Sequence, residues 1–190
     1  MTDFETDVQN CLGVLKTGGV ILYPTDSVWG LGCDATNEQA VEKIFRLKQR
    51  PANKSMVILV ADERDVLKYV TQPDLRVFDY LKTTTRPTTV IYPGAVGLAE
   101  NAVSGDGSVA IRITRELFTR TLVKRFRKPL VSTSANLSGE PSPAIYKDIS
   151  GVIKNGVDYT VRYRQEEDVA AKPSALVQWN SDATITVIRS

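Results

Sequence analysis

The sequence predicts a mixed α+β fold, an open twisted sheet of mixed strand direction with helices on its faces, and three observations predict it. Apolar stretches of strand length alternate with helical periodicity along much of the chain, the pattern that lays helices against a sheet. The alternation is not strict, and strand signals crowd the last part at 158–163, 174–179 and 184–188, which argues against a purely parallel sheet. Finally, 190 residues with 42% hydrophobic content are enough to bury one core and fit the size of one domain spanning 1–190.

Taken in order, residues 3–17 place Val8, Leu12 and Leu15 at helical spacing, and Gly18-Gly19 supply the stop before a strand at Val20–Tyr23. A Gly-rich segment follows. Thr36-Asn37-Glu38-Gln39 then offers a helix cap, Val41, Ile44 and Phe45 a buried face, and Pro51 a limit, so Lys48 and Arg50 should lie at the helix exit and face solvent. A strand at 56–60 and helices at 62–70 and 73–83 come next, the second with Pro73 near its first turn. Strands are expected at 88–92 and 108–113, with Thr114 capping a helix that carries Phe118, Leu122 and Phe126. A strand at 129–133, a loop at 137–143 and a short helix near 145–154 lead into the strand-rich end.

Composition narrows the function. The longest apolar runs, Val57–Val60 and Val20–Tyr23, fall far short of the ~20 residues that span a bilayer, and Met1–Glu5 lacks the basic and apolar parts of a secretory signal. A cytoplasmic protein is expected, with Cys11 and Cys33 as free thiols. There is no histidine, which removes Ser-His-Asp triads, imidazole bases and nearly every zinc site. The formal charge of +2 is too small to imply nucleic-acid binding by itself.

Three segments carry candidate chemistry. Tyr23-Pro24-Thr25-Asp26-Ser27-Val28-Trp29-Gly30 leaves a strand with small hydroxyl residues and glycine, suited to close backbone approach to a ligand or to a plain turn, and Trp29 needs a surface to cover it. Lys48, Arg50 and Lys54 place three cations beyond a helix, able to neutralise a triphosphate or simply to complement the helix dipole. Ser132-Thr133-Ser134-Ala135-Asn136 follows a strand and offers neutral donors to phosphate or ribose, or a turn network. The cations Arg115, Arg120, Lys124, Arg125, Arg127 and Lys128 make either a solvated helix face or a contact for tRNA or double-stranded RNA. Neither a Walker motif nor a GxGxxG fingerprint occurs.

The ordered set is more telling than its parts. Pro-Thr-x-Ser-x-Trp-Gly-Leu at 24–31, Lys-x-Arg at 48–50 continuing to Asn53-Lys54, Pro93-Gly94, Val109-Ala110-Ile111-Arg112 and Ser-Thr-Ser-Ala-Asn-x-Ser-Gly at 132–139 resemble the YrdC-like family, from about residue 8 to about residue 189. That resemblance implies an open sheet with a concave, basic cavity and the synthesis of threonylcarbamoyl-adenylate from L-threonine, bicarbonate and ATP, with release of pyrophosphate. A tRNA threonylcarbamoyl transferase complex would use the product to modify adenosine beside the anticodon. It implies that Lys48 and Arg50 are catalytic and that they, with Lys54, Ser132, Ser134, Asn136 and Arg189, bind ATP and the adenylate. Thr25, Arg112 and Ser174 would bind threonine, Mg²⁺ would be held mainly by the phosphates, and Asp26 is a candidate general base. Departures from the family pattern fall at Asp26-Ser27-Val28-Trp29, where Glu-Thr-x-Tyr is common, at Thr114, where proline is frequent, and after Ser174, where a second hydroxyl is missing. A paralogue without synthase activity and an RNA-binding module are the alternatives.

Overall fold

The structure is a computed structural model and describes residues 4–51, 56–180 and 182–190. Helix α1 (Glu5–Lys16) buries Val8, Cys11, Leu12 and Leu15 along one stripe, then the chain turns at Gly18, whose φ of +72° is the left-handed conformation that favours glycine. Strands β1 (Ile21–Tyr23), β2 (Gly30–Asp34), β3 (Val57–Val60), β4 (Thr88–Tyr92), β5 (Val109–Ile113), β6 (Leu130–Ser134), β7 (Tyr159–Thr160), β8 (Ala175–Trp179) and β9 (Ile185–Arg189) form one sheet in the order β7-β1-β2-β6-β3-β5-β4-β8-β9. The pairs β1/β7, β3/β5 and β4/β8 are parallel and the others antiparallel, so the sheet is mixed, as expected. Between the strands run α2 (Glu38–Lys48), α3 (Glu63–Tyr69), α4 (Arg76–Thr83), α5 (Leu117–Phe126) and α6 (Gly151–Asn155). Among the described residues no helix is long and apolar enough to cross a membrane.

The largest departure from the sequence reading is β2, five fully buried residues where a Gly-rich turn was expected. Gly-Leu-Gly-Cys-Asp has poor strand propensity, but its place between β1 and β6 demands glycine. A Cβ on Gly32 would stand 2.6 Å from the Tyr23 ring and 3.0 Å from the Val131 carbonyl oxygen, while Leu31 and Cys33 drive into the core on the other side.

Helix ends also differ in detail. Asn37 caps α2 by accepting from the Ala40 N–H, and Gln49, left-handed at φ 50°, ends it before Pro51. Thr114 does not cap α5; the Glu116 carboxylate does, accepting from the N–H groups of Phe118 and Thr119 at 3.1 and 2.7 Å. A carboxylate reaches two donors at once, and Thr114 is held at the end of β5 by its own N–H to the Val60 carbonyl at 3.0 Å. The fourth helix begins at Arg76 rather than near Pro73, and the helix expected near 145–154 divides into a 3-10 turn at Tyr146–Asp148 and α6.

Register divides the sheet into two unlike faces, because residues directly opposite one another point the same way and neighbours along a strand point opposite ways. Leu31, Val131, Ile58, Ile111 and Val90 share one face, nearly or fully buried in the core with α1, α2 and α5. The other face carries Gly30, Gly32, Ser132, Ser134, Val57, Ala110 and Arg112. Continuing across β4, β8 and β9, it carries Thr89, Leu176 and Arg189. Small and polar side chains gather there around Gly30, Ser132, Ser134 and Arg112, beside the large buried side chains of Tyr23, Leu59 and Leu130 on the same face.

Candidate functional site

A cleft of about 170 Å³ opens on that second face. Gly30 forms its floor, where a Cβ would come within 3.2 Å of Ser132 Oγ. Three arginines, Arg50, Arg112 and Arg189, and five serines, Ser27, Ser132, Ser134, Ser142 and Ser174, line it. Each comes from a different part of the chain: Arg50 from just beyond α2, Arg112 from β5, Ser132 and Ser134 from β6, Ser174 from the entry to β8 and Arg189 from the end of β9. Guanidinium groups facing hydroxyl donors in a half-buried setting favour an oxyanion, phosphate or carboxylate.

Arg112 is the most enclosed of the three, 4% exposed, and its Nε lies 3.1 Å from Asp26 Oδ1. The contact is an ion pair by distance, although the angles at these two atoms do not make a hydrogen bond. The other Asp26 oxygen accepts from the Arg115 N–H at 3.2 Å. Arg189 donates from Nε to the Ser174 carbonyl at 3.0 Å, which ties the last strand to the cleft. Burial and then the charges of Arg112 and Arg86 make protonation of Arg189 less favourable than in water, and burial does the same to Arg50. Ser174 shares a hydrogen bond of 2.9 Å with Thr89 through their hydroxyls, both buried.

Lys48 corrects the sequence reading. It was expected to face solvent, yet it is 1% exposed, and its ammonium donates to the carbonyl oxygens of Ser134 and Asn136. Its own carbonyl accepts from the Ser138 N–H at 2.8 Å. The reason is that α2 ends beneath the loop after β6, and the four-carbon stem is covered while the head finds carbonyls in place of water. Burial pulls the Lys48 pKa down to about 8, the charge of Arg50 acts the same way, and Glu140 opposes them. Asn136 completes the clamp, its amide donating to the Leu137 and Glu140 carbonyls at 2.9 and 2.7 Å. Lys48 and Asn136 thus fix the loop that presents Ser134. Arg50 is only partly buried and lines the cleft.

Thr25 is also turned inward. Its hydroxyl donates to the Val28 carbonyl at 2.8 Å and accepts from the Ser27 N–H at 3.0 Å, shaping the turn that delivers Ser27. Lys54 lies outside the described residues. Trp29, whose exposure called for a cover, is 7% exposed beneath Tyr146, with ring centroids 4.9 Å apart. The sequence reading did not single out Ser142 and gave Ser27 and Gly30 no role of their own, although both are positions of the motif at 24–31. Among the described residues no group of three or more His, Cys, Asp or Glu is placed to hold a metal ion.

The cleft is below the ~300 Å³ at which ligand pockets usually begin, but it shares Ser142 with a hollow of about 360 Å³ lined by Asn136, Pro141, Ala144 and Ser150. A larger hollow, about 750 Å³, lies on the other side of Asp26 and contains none of the three cleft arginines. The smaller cleft is the better candidate for chemistry because charge, hydroxyls and a glycine floor converge there. The basic stretch 115–128 is not a uniform face. Arg125 pairs with Glu5, Lys128 with Asp34, and the Arg115 guanidinium donates to the Leu81 and Thr84 carbonyls.

The Sua5/YciO/YrdC family model, described as telomere recombination, matches residues 13–190. The chain belongs to the Sua5/YciO/YrdC family. The threonylcarbamoyl-AMP synthase of Psychromonas ingrahamii is 38% identical over 157 residues, 80% of this chain and 81% of that protein. The one of Stenotrophomonas maltophilia is 41% identical over 141 residues, 72% of this chain and 75% of that protein. Among solved structures, P. abyssi Sua5 complexed with L-threonine superposes with a TM-score of 0.84 at 22% identity, covering 97% of this chain and 54% of that one. E. coli YciO gives 0.83 at 22% identity, covering 97% and 89%. These two likenesses show the fold, and the chain spans about half the length of P. abyssi Sua5. The family motifs at 48–50 and 132–139 meet where α2 ends under the β6 loop.

Proposed function

We propose that this chain is an L-threonylcarbamoyladenylate synthase, joining L-threonine, bicarbonate and ATP and releasing pyrophosphate, for threonylcarbamoyl-adenosine modification of tRNA. The observation that carries the reading is the convergence of Arg50, Arg112 and Arg189 with five serine hydroxyls over Gly30, in a chain of this family. Two of the three substrates are anions and the third carries a carboxylate, so each brings negative charge that such a cleft compensates.

The reaction is electrostatic and needs no histidine. Threonine nitrogen bonds to the bicarbonate carbon with loss of water; a carbamate oxygen then attacks the α-phosphorus, and the bond to the bridging oxygen breaks as pyrophosphate leaves. Arg50 and Arg189 neutralise the phosphates, with Ser132 and Ser134 donating to their oxygens. Arg112 and Ser174 receive the threonine side. Asp26 holds the Arg112 guanidinium in place, a positioning role that fits its 3.1 Å ion pair better than removal of the amine proton. Thr25 acts through the turn that carries Ser27. Lys48 and Asn136 hold the adenylate loop, with Lys48 adding positive charge beneath it, and Lys54 is a supporting contact. Mg²⁺ bound with ATP would be held mainly by phosphate and would screen its charge, beside the arginines of the cleft wall. The product passes to a tRNA threonylcarbamoyl transferase complex in the cytoplasm.

The test is pyrophosphate release and adenylate formation from ATP, Mg²⁺ and bicarbonate, with and without L-threonine. Threonine-dependent release of both products is expected. Release that ignores threonine would overturn the reading.

A further inference from the structure

The hollow of about 750 Å³ beyond Asp26 has no part in the chemistry above. It is bounded by the ends of β3 and β5, the start of β4 and the turn at Thr84–Pro87. Its floor is largely apolar, from Ala61, Leu81, Pro87 and Ile113. One floor residue stands out: Thr114 is 1% exposed, and its hydroxyl has no hydrogen-bond partner. A buried hydroxyl left unsatisfied costs stability, so its retention in a cavity wall points to a partner that arrives from outside.

Charge accounting points the same way. Two of the three acids of the wall are in ion pairs, Asp26 with Arg112 and Glu63 with Lys82 at 3.9 Å; Asp62 caps α3, accepting from the Asp65 N–H, and is in no ion pair among the described residues, so five cations face three acids. The Arg115 guanidinium is held by two carbonyls. Arg64, Arg86 and Arg120 are all exposed and none is in an ion pair among the described residues, although Arg86 reaches the Pro173 carbonyl at 3.4 Å. A rim carrying three guanidiniums outside any ion pair, above an apolar floor that holds one buried, unpartnered hydroxyl, matches a ligand with an apolar body and a phosphate.

We infer that this hollow is a second ligand site, for a nucleoside monophosphate, either free or as the 5′ end of an RNA strand, separated from the first cleft by the Asp26–Arg112 pair. Its phosphate lies among Arg64, Arg86 and Arg120, and its base or ribose accepts from or donates to Thr114 Oγ1.

Calorimetric titration tests this with two probes, AMP and a 5′-phosphorylated tetraribonucleotide. With the intact chain, at least one probe binds a site that is lost in Arg86→Ala/Arg120→Ala and kept in Arg50→Ala. Dependence on AMP alone identifies a free nucleotide, and dependence on the tetranucleotide alone identifies an RNA end. Thr114→Val supplies a second readout: removing an unsatisfied buried hydroxyl should raise Tm, while affinity at this site falls about tenfold. A merely structural threonine would not change affinity. No site sensitive to the arginine pair, or a Thr114→Val chain that binds as before, overturns the inference. Because Arg50→Ala reports only on the first cleft, failure of the synthase reading is seen separately.

Discussion

The two faces of the sheet are built from the same strands and obey different rules. On the covered face Leu31, Val131, Ile58 and Ile111 are at most 2% exposed, and their worth lies in apolar area removed from water. On the open face, one residue along each strand, glycine, serine and arginine stand where core residues would otherwise be. There the protein leaves a cleft and lines part of it with positive charge, Arg112 held by Asp26. A two-residue period is therefore enough to let one strand, such as Ile111-Arg112 in β5, serve stability and anion binding at once.

Substitutions can break or sharpen this contrast. The largest effect is expected on the covered face: Ile58→Ala should cost about 2–5 kcal/mol in urea unfolding, through lost burial and the cavity left behind. Its neighbour Val57→Ala, on the open and partly exposed side, should cost less than about 1.5 kcal/mol, and equal losses would dissolve the distinction. Next comes Arg50→Ala, which should lower threonine-dependent pyrophosphate release by about 10²-fold or more while leaving Tm within a few degrees. Loss of fold in place of turnover would move Arg50 to the structural side.

Lys48 lies between the two kinds of region, and pH separates its roles. Its pKa is about 8 in the folded chain against 10.5 for an ordinary lysine. Between those values the unfolded chain binds the proton and the folded chain does not, so stability should rise with pH across that window. The cost of burying the charge is fully present below pH 8. Comparing urea midpoints of the wild type and Lys48→Met across pH 8–10.5 isolates this slope, with an expected span on the order of 1–3 kcal/mol. Identical slopes would mean that the carbonyls of Ser134 and Asn136 hold the ammonium as strongly as water does. The smallest effect belongs to Glu116→Ala, which removes two donors' acceptor at the start of α5 and should cost about 1 kcal/mol with no change in turnover.

Much of this was legible beforehand. Helices α1, α2 and α5 follow from apolar spacing, and β3, β4 and β5 from short β-branched runs, because their local pattern and their tertiary burial agree. Of the residues that the family resemblance picked out, Arg50, Arg112, Ser132, Ser134, Ser174 and Arg189 line one cleft, while Thr25, Lys48 and Asn136 do not. What escaped was set by contacts far apart in sequence. The Gly30–Asp34 segment is a strand because Tyr23 and Val131 leave room only for glycine at position 32. Glu116 caps α5 because the end of β5 retains Thr114, and Ser142 reaches the cleft only through the path of a loop.

The amino-acid sequence by itself determined the mixed sheet, the helix faces and the types of residue available for binding an anion without histidine, since period and composition are local properties. The tertiary structure decided which cations are available. It buried Lys48 against two carbonyls, paired Arg112 with Asp26, tied Arg115 and Arg189 to backbone carbonyls, and set Arg50, Arg112 and Arg189 around one cleft. Charge is written in the sequence, but its compensation depends on what lies within a few ångströms, which only folding brings together.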